Sequence, residues 1–315
     1  SPASPVSHHT QTPSHPPDDP ARGVPTMIHI LPRSTIGNVW KIFVKTSRVS
    51  TRGLASQTAG HTNRSVLVYG GAGGLGSGIV DTFSDAGWDT VSADFRANTS
   101  AKLTVALTPG QNWGENARLV CGVLQENKLE PKVIVNAAGG WAGGSIDAED
   151  VSVIDKMIEQ NLMSALTCGY IASKCLSEDG LLVLTGAAAI AEGGCSSGMV
   201  GYSVAKAGVH NLIASLAEPE ALGKNRKVVG LLPNVIDTPA NRHAMPDADF
   251  NTWTNPHIFA KAILHWAESG EATEKFPILE NGRMYTFKTL VSGMNRESVS
   301  DYIDEVETAY RYELR

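Results

Sequence analysis

The chain has 315 residues, 42% of them apolar, and a formal net charge of −6, which suits one α/β core with extensions and calls for no second catalytic domain. Charge is unevenly spread: basic residues outnumber acids up to Ser65, so the remainder is strongly acidic, which argues against nucleic acid as its partner. The four cysteines (Cys121, Cys168, Cys175, Cys195) form no CxxC pair and have no His at ligand spacing; this speaks against zinc and against a disulfide framework, and fits a reducing compartment.

Residues 1–26, rich in Pro, Ser and His, have too little apolar surface to fold and read as a leader ahead of a start at Met27. From Met27 to about Asn63 the chain is basic, with Ser, Thr and interspersed apolar residues, and no acid occurs between Asp19 and Asp81. That composition predicts a mitochondrial transit segment, the alternative being a basic tail on a cytoplasmic protein. Its apolar runs are too interrupted to span a membrane.

Ser65 to Tyr69 (SVLVY) predicts a buried parallel strand. Glycines follow at once. Gly71, Gly73 and Gly76 satisfy GxGxxG, and Gly70, Gly74 and Gly76 satisfy the related GxxxGxG spacing. Such a turn admits a pyrophosphate to the N-terminus of the next helix, expected from about Leu75 to Ala86. Gly70, Gly71, Gly73, Leu75 and Gly76 are therefore candidate cofactor residues. The second strand, Trp88 to Ala93, is closed by Asp94, a carboxylate placed to accept both adenosine-ribose hydroxyls and to repel a 2′-phosphate. That favours NADH; Arg96, two residues on, leaves NADPH possible, since a guanidinium can pair with the phosphate.

A third strand is expected near Leu103 to Leu107, a helix after Pro109 to about Asn127, and a fourth strand over Val133 to Ala138. The fourth runs into Gly139, Gly140, Trp141, Ala142, Gly143 and Gly144. Glycines at the carboxyl end of a parallel strand leave room for a ligand, and Trp141 among them reads as a stacking platform for a flat heterocycle. Asp150 to Leu176 predicts one long helix whose wide apolar face suggests a subunit interface; Asn161 within it is either part of a proton relay or a satisfied buried amide. Strands five and six are expected at Leu181 to Leu184 and Val228 to Leu232.

Between them, Tyr202 and Lys206 stand four apart in GYSVAKAGVH, on one face of a helix. A phenol beside an ammonium ionises more easily, so the pair is a candidate proton donor. After strand six, DTPANR (237–242) reads as a loop over the cofactor. Phe276 to Phe287 predicts a hairpin around Asn281-Gly282, and Ser298 to Tyr310 predicts an amphipathic helix in the tail beyond Leu290. Together these elements predict a Rossmann-type, doubly wound parallel sheet over about 64–290.

VLVYGGAGGLGSG, NAAGGWAGG, GMVGYSVAKAGVH and LLPNVIDTPANRHAMPDADFNTW resemble the dihydropteridine reductases, a family within the short-chain dehydrogenase/reductase superfamily, from about Ser65 to Leu290. The superfamily usually places a serine about thirteen residues before the tyrosine; here that position is Ala189, and the resembled family similarly lacks it. The resemblance implies NADH-dependent reduction of quinonoid dihydrobiopterin in a homodimer. It carries Tyr202 and Lys206 onto the catalytic pair, Trp141 and Asn241 onto the pterin site, and Asp94 onto the ribose-binding acid; Ala189 is a further candidate substrate residue and Gly139 a further candidate cofactor residue. A general carbonyl reductase is the alternative enzyme, and a non-catalytic dinucleotide sensor the alternative class.

Overall fold

The computed structural model describes residues 64–289, except positions 148 and 274, and the backbone of a strand at 304–309. The leader and transit-segment expectations lie outside the described residues. The sheet has eight strands in the order β3-β2-β1-β4-β5-β6-β7-β8. They are β1 (Ser65–Tyr69), β2 (Asp89–Asp94), β3 (Leu103–Ala106), β4 (Val133–Asn136), β5 (Leu181–Thr185), β6 (Lys227–Pro233), β7 (Met284–Thr289) and β8 (Asp304–Ala309). The first seven run parallel, and β8 joins β7 antiparallel. Strand order reverses between β1 and β4, so a crevice opens at the carboxyl ends of these two strands.

The helices are α1 (Gly74–Asp85), α2 (Trp113–Glu126), α3 (Ser152–Met157), α4 (Ser164–Cys175), α5 (Ala188–Ala191), α6 (Val200–Leu216), α7 (Pro239–Ala244) and α8 (Pro256–Glu268). The central strands are apolar on both sides because both faces are covered. Leu67, Ile134 and Leu182 point to one layer, where α2, α4 and α6 contribute Leu124, Ile171 and Ile213. Their neighbours Val66, Val135 and Val183 point to the other, against Phe83 of α1 and Phe259, Ile263 and Trp266 of α8.

Four expectations change. Strand four ends at Asn136 rather than Ala138, because the Ala137 and Ala138 amides both turn to donate to the Tyr69 carbonyl, at 2.8 and 2.9 Å. The long helix is interrupted between α3 and α4 by a π-helical segment, Ile158–Met163. Part of its apolar face is spent inside the subunit: Leu162 packs on Gly208 of α6, and Ile154 and Met157 pack on Gly201. The hairpin at Phe276–Phe287 is not formed. The Asn281 side chain instead accepts from the Val228 amide and donates to the Ala217 carbonyl, so the turn delivers β7 parallel to β6. The tail helix is replaced over residues 304–309 by β8, where the open edge of β7 supplies a partner that an isolated helix lacks.

Candidate active site

The glycine turn is built by backbone contact too close for any side chain. Gly70 has φ +86°, and a Cβ there would lie 2.4 Å from the Ala138 nitrogen; one on Gly76 would lie 2.1 Å from the Gly70 carbonyl oxygen. Gly73 begins α1 with no side-chain cap, so the first-turn amides of Gly74, Leu75 and Gly76 are left as donors, the arrangement that suits a pyrophosphate. Asn98, which the sequence did not single out, and Thr238, within the DTPANR segment expected over the cofactor, brace the turn: Asn98 donates to the Gly71 carbonyl at 2.7 Å, and Thr238 lies against Gly74, 2.6 Å from where its Cβ would be.

Asp94 reaches back to the same turn. One carboxylate oxygen accepts from the Ala72 amide at 3.0 Å, the other from the Arg96 amide at 3.1 Å. A carboxylate has about four lone-pair sites, so capacity for hydroxyl donors remains. The Arg96 guanidinium donates to the Ala72 carbonyl at 3.0 Å, which ties it to the turn.

Across the crevice, α6 presents Tyr202 and Lys206. Lys206 is buried; its Nζ donates to the Thr185 carbonyl at 2.8 Å and lies 5.8 Å from the Tyr202 ring centroid. Burial lowers the Lys206 pKa to about 7 and raises that of Tyr202 to about 12. The expected easing of phenol ionisation is therefore outweighed by desolvation: the ammonium spends its proton on Thr185, and both groups are held towards neutrality. Gly139 meets this pair, since a Cβ there would lie 2.8 Å from Asn161 Oδ1 and 3.7 Å from Lys206 Nζ.

Asn161 stands in the π-helical segment, an insertion frequently found at functional positions. Its amide is satisfied: Nδ2 donates to the Gly140 and Met157 carbonyls, both at 3.0 Å, and Oδ1 accepts from the Gly140 amide at 3.3 Å. The loop is pinned again at Gly144, whose amide donates to the Gly198 carbonyl at 2.7 Å and whose carbonyl accepts from the Val200 amide at 3.0 Å. Between these clamps lies Trp141, 57% exposed. Such an arch holds a large aromatic face in solvent at fixed backbone geometry.

Ala189 sits exposed on α5, its carbonyl accepting from the Gly194 amide at 2.7 Å. Asn241 lies on α7, which Thr238 caps by accepting from the Asn241 amide; Asn241 Nδ2 donates to the Ile236 carbonyl at 2.8 Å. A two-pronged Arg242–Asp237 ion pair, at 2.5 and 2.8 Å, ties this segment together. The structure thus joins Gly70, Gly71, Gly76 and Asp94 in one cluster and Gly139, Tyr202 and Lys206 in another, with Trp141 and Asn241 on separate segments. Among the described residues there is no group of three metal-ligating side chains, and no helix is long and apolar enough to cross a membrane.

A family profile described as short chain dehydrogenase matches residues 64–249. The chain belongs to the short-chain dehydrogenase/reductase family. It is 33% identical over 229 residues, 72% of this chain and 95% of the relative, to a protein named dihydropteridine reductase from Dictyostelium discoideum. Among solved structures, 4-hydroxyisoleucine dehydrogenase complexed with NADH superposes with a TM-score of 0.55 at 18% identity, covering 70% of this chain and 98% of that one. BdcA in complex with NADPH gives 0.55 at 19% identity, covering 70% and 94%; at these identities the likeness concerns the fold. Family membership makes this chain an oxidoreductase dependent on a nicotinamide cofactor.

Proposed function

We propose that this chain reduces a quinonoid dihydropterin to the tetrahydro form at the expense of NADH, with Tyr202 and Lys206 handling the proton. The observation that carries the reading is Trp141, a large aromatic held half out of the protein on an arch clamped at Gly140 and Gly144. Its exposed face suits a flat, electron-poor ring. Ala189 supports the same reading: a ketone under reduction needs its oxygen held by a hydroxyl at this position, whereas the bond reduced in a quinonoid dihydropterin is not a ketone C=O. The name of the Dictyostelium relative agrees with it.

The bound nicotinamide supplies the hydride. With a pKa near 12, Tyr202 keeps its hydroxyl proton at neutral pH and can donate it to the reduced ring, while Lys206, anchored on Thr185, fixes the polarity of the site. Asn241 spends Nδ2 on Ile236 and keeps Oδ1 as an acceptor for an amino group of the pterin. NADH is favoured over NADPH because Asp94 is locked beside the glycine turn, where it repels a 2′-phosphate, and because Arg96 is engaged with Ala72.

The test is Ala189→Ser assayed on both substrate classes. The added hydroxyl should leave pterin turnover unchanged or lower and should not be required for it. A large gain on pterin, or a wild-type protein that reduces simple ketones well and pterin not at all, would support the carbonyl-reductase alternative instead.

A further inference from the structure

The stripe of α6 that carries Tyr202 and Lys206 continues one turn further to His210, at the i, i+4, i+8 positions of one helix face. Lys206 and His210 are both buried and between them hold three consecutive residues at the exit of β5. Lys206 Nζ donates to the Thr185 carbonyl at 2.8 Å, and the Ala187 amide donates to His210 Nε2 at 3.2 Å. Gly186, between them, is wedged: a Cβ there would lie 2.4 Å from His210 Nε2 and 2.7 Å from Leu232 of β6. Ala187 is also the N-cap residue of α5 and has no side-chain cap of its own.

An amide N–H only donates, so Nε2 is the unprotonated nitrogen and the neutral ring carries its proton on Nδ1. Burial, and then the Lys206 charge, push the His210 pKa down to about 4, which preserves that form at neutral pH. Of the groups that face the ring, Lys206 is titratable, while Gly186, Ala187 and Leu232 are not. Filling space alone calls for no imidazole here; a leucine would fill it and leave the Ala187 donor buried without a partner.

We propose that His210 is a positioning residue of the proton-handling pair: by accepting from Ala187 it holds the β5 exit where the Thr185 carbonyl receives the Lys206 ammonium. This rests on the reading of Tyr202 and Lys206 given above. His210→Leu and His210→Gln separate the idea from simple packing, because the Gln Oε1 can accept from Ala187 and Leu cannot.

In His210→Leu, turnover with NADH and quinonoid dihydropterin should fall about tenfold, the scale set by one orphaned buried donor, while the Michaelis constant for NADH stays within about twofold. The basic limb of turnover should move to lower pH, because a displaced Thr185 carbonyl stabilises the ammonium less. Hydrogen exchange at the Ala187 amide should accelerate by about tenfold or more. His210→Gln should restore all three towards wild type. A folded Leu variant with wild-type exchange, turnover and pH profile would overturn the proposal, as would a Gln variant no better than Leu. Nitrogen NMR of the wild-type ring needs neither variant nor substrate: Nε2 unprotonated from pH 5 to 8 supports the clamp, and a proton on Nε2 contradicts it. If wild type does not turn over the pterin, the functional reading fails, and Ala187 exchange together with the ring tautomer still decides the clamp.

Discussion

The two halves of the sheet build the crevice by different means. From β1 to β2 the crevice is lined mainly by main chain, with the Asp94 carboxylate set beside it: first-turn amides of α1, carbonyls braced by Asn98, and glycines whose Cβ atoms would collide with the backbone at 2.1 to 2.4 Å. From β4 to α6 the candidate groups are side chains, and two of them, Lys206 and Tyr202, are desolvated enough to be held near neutrality. The difference teaches where a substitution will be felt. In the first half any added atom breaks the shape, whereas in the second an isosteric change can leave the shape intact and remove the chemistry.

The sharpest break of that comparison is Tyr202→Phe. It removes one oxygen from a helix that is otherwise well packed, so the protein should bind NADH as wild type does, while turnover falls by about 10²–10⁴, the range for losing a general acid. Stopped-flow turnover beside a fluorescence titration of NADH measures both. Equal losses in binding and turnover would mean that Tyr202 shapes the site rather than acting in it.

Gly76→Ala is the counterpart in the first half. The new methyl meets the Gly70 carbonyl and must displace the turn, at a cost of about 1–3 kcal/mol or more for overpacking. NADH affinity and thermal stability should fall together. A variant that keeps both would show that the turn tolerates what its geometry forbids.

Trp141→Ala sharpens the comparison on the substrate side. Trp141 is largely solvent-exposed, so stability should be unchanged. The Michaelis constant for pterin should rise by an amount matching about 1–3 kcal/mol of lost stacking. If steady-state kinetics show the same constant as wild type, the ring does not lie on Trp141.

A pH titration of the protein alone sets the two halves apart at smaller amplitude. Lys206 has a folded pKa of about 7 against an ordinary 10.5, so between these values the unfolded chain binds the extra proton and stability rises with pH. Tyr202, raised from 10 to about 12, acts in the opposite sense from about pH 10 upward, because there the folded state keeps a proton that the unfolded state loses. Melting temperatures should therefore climb from about pH 7 towards pH 10, and Lys206→Met should flatten that climb. An unaltered climb in the variant would place its origin elsewhere.

How much of this could be read from the sequence follows the same division. The strands were legible because parallel strands covered on both faces, such as Ser65–Tyr69 and Leu181–Thr185, are continuous apolar runs. The glycine turn was legible because no other residue fits it. The roles of Asn98 and His210 were not, since each depends on a backbone group more than 20 residues away in the chain that only the fold brings near. Asn161 showed as two open readings, and its grip on Gly140 emerged only with the π-helical segment. The hairpin and the tail helix failed for a related reason: Asn281 answers to Val228 rather than to its own turn, and β8 answers to the edge of β7.

The most direct test of the central claim is NADH oxidation by the wild-type protein with chemically generated quinonoid dihydropterin, set beside a simple ketone and beside NADPH. The account predicts rapid oxidation with the pterin, a higher specificity constant for NADH than for NADPH, and little or no turnover of the ketone. Fast ketone reduction with no pterin activity would contradict it.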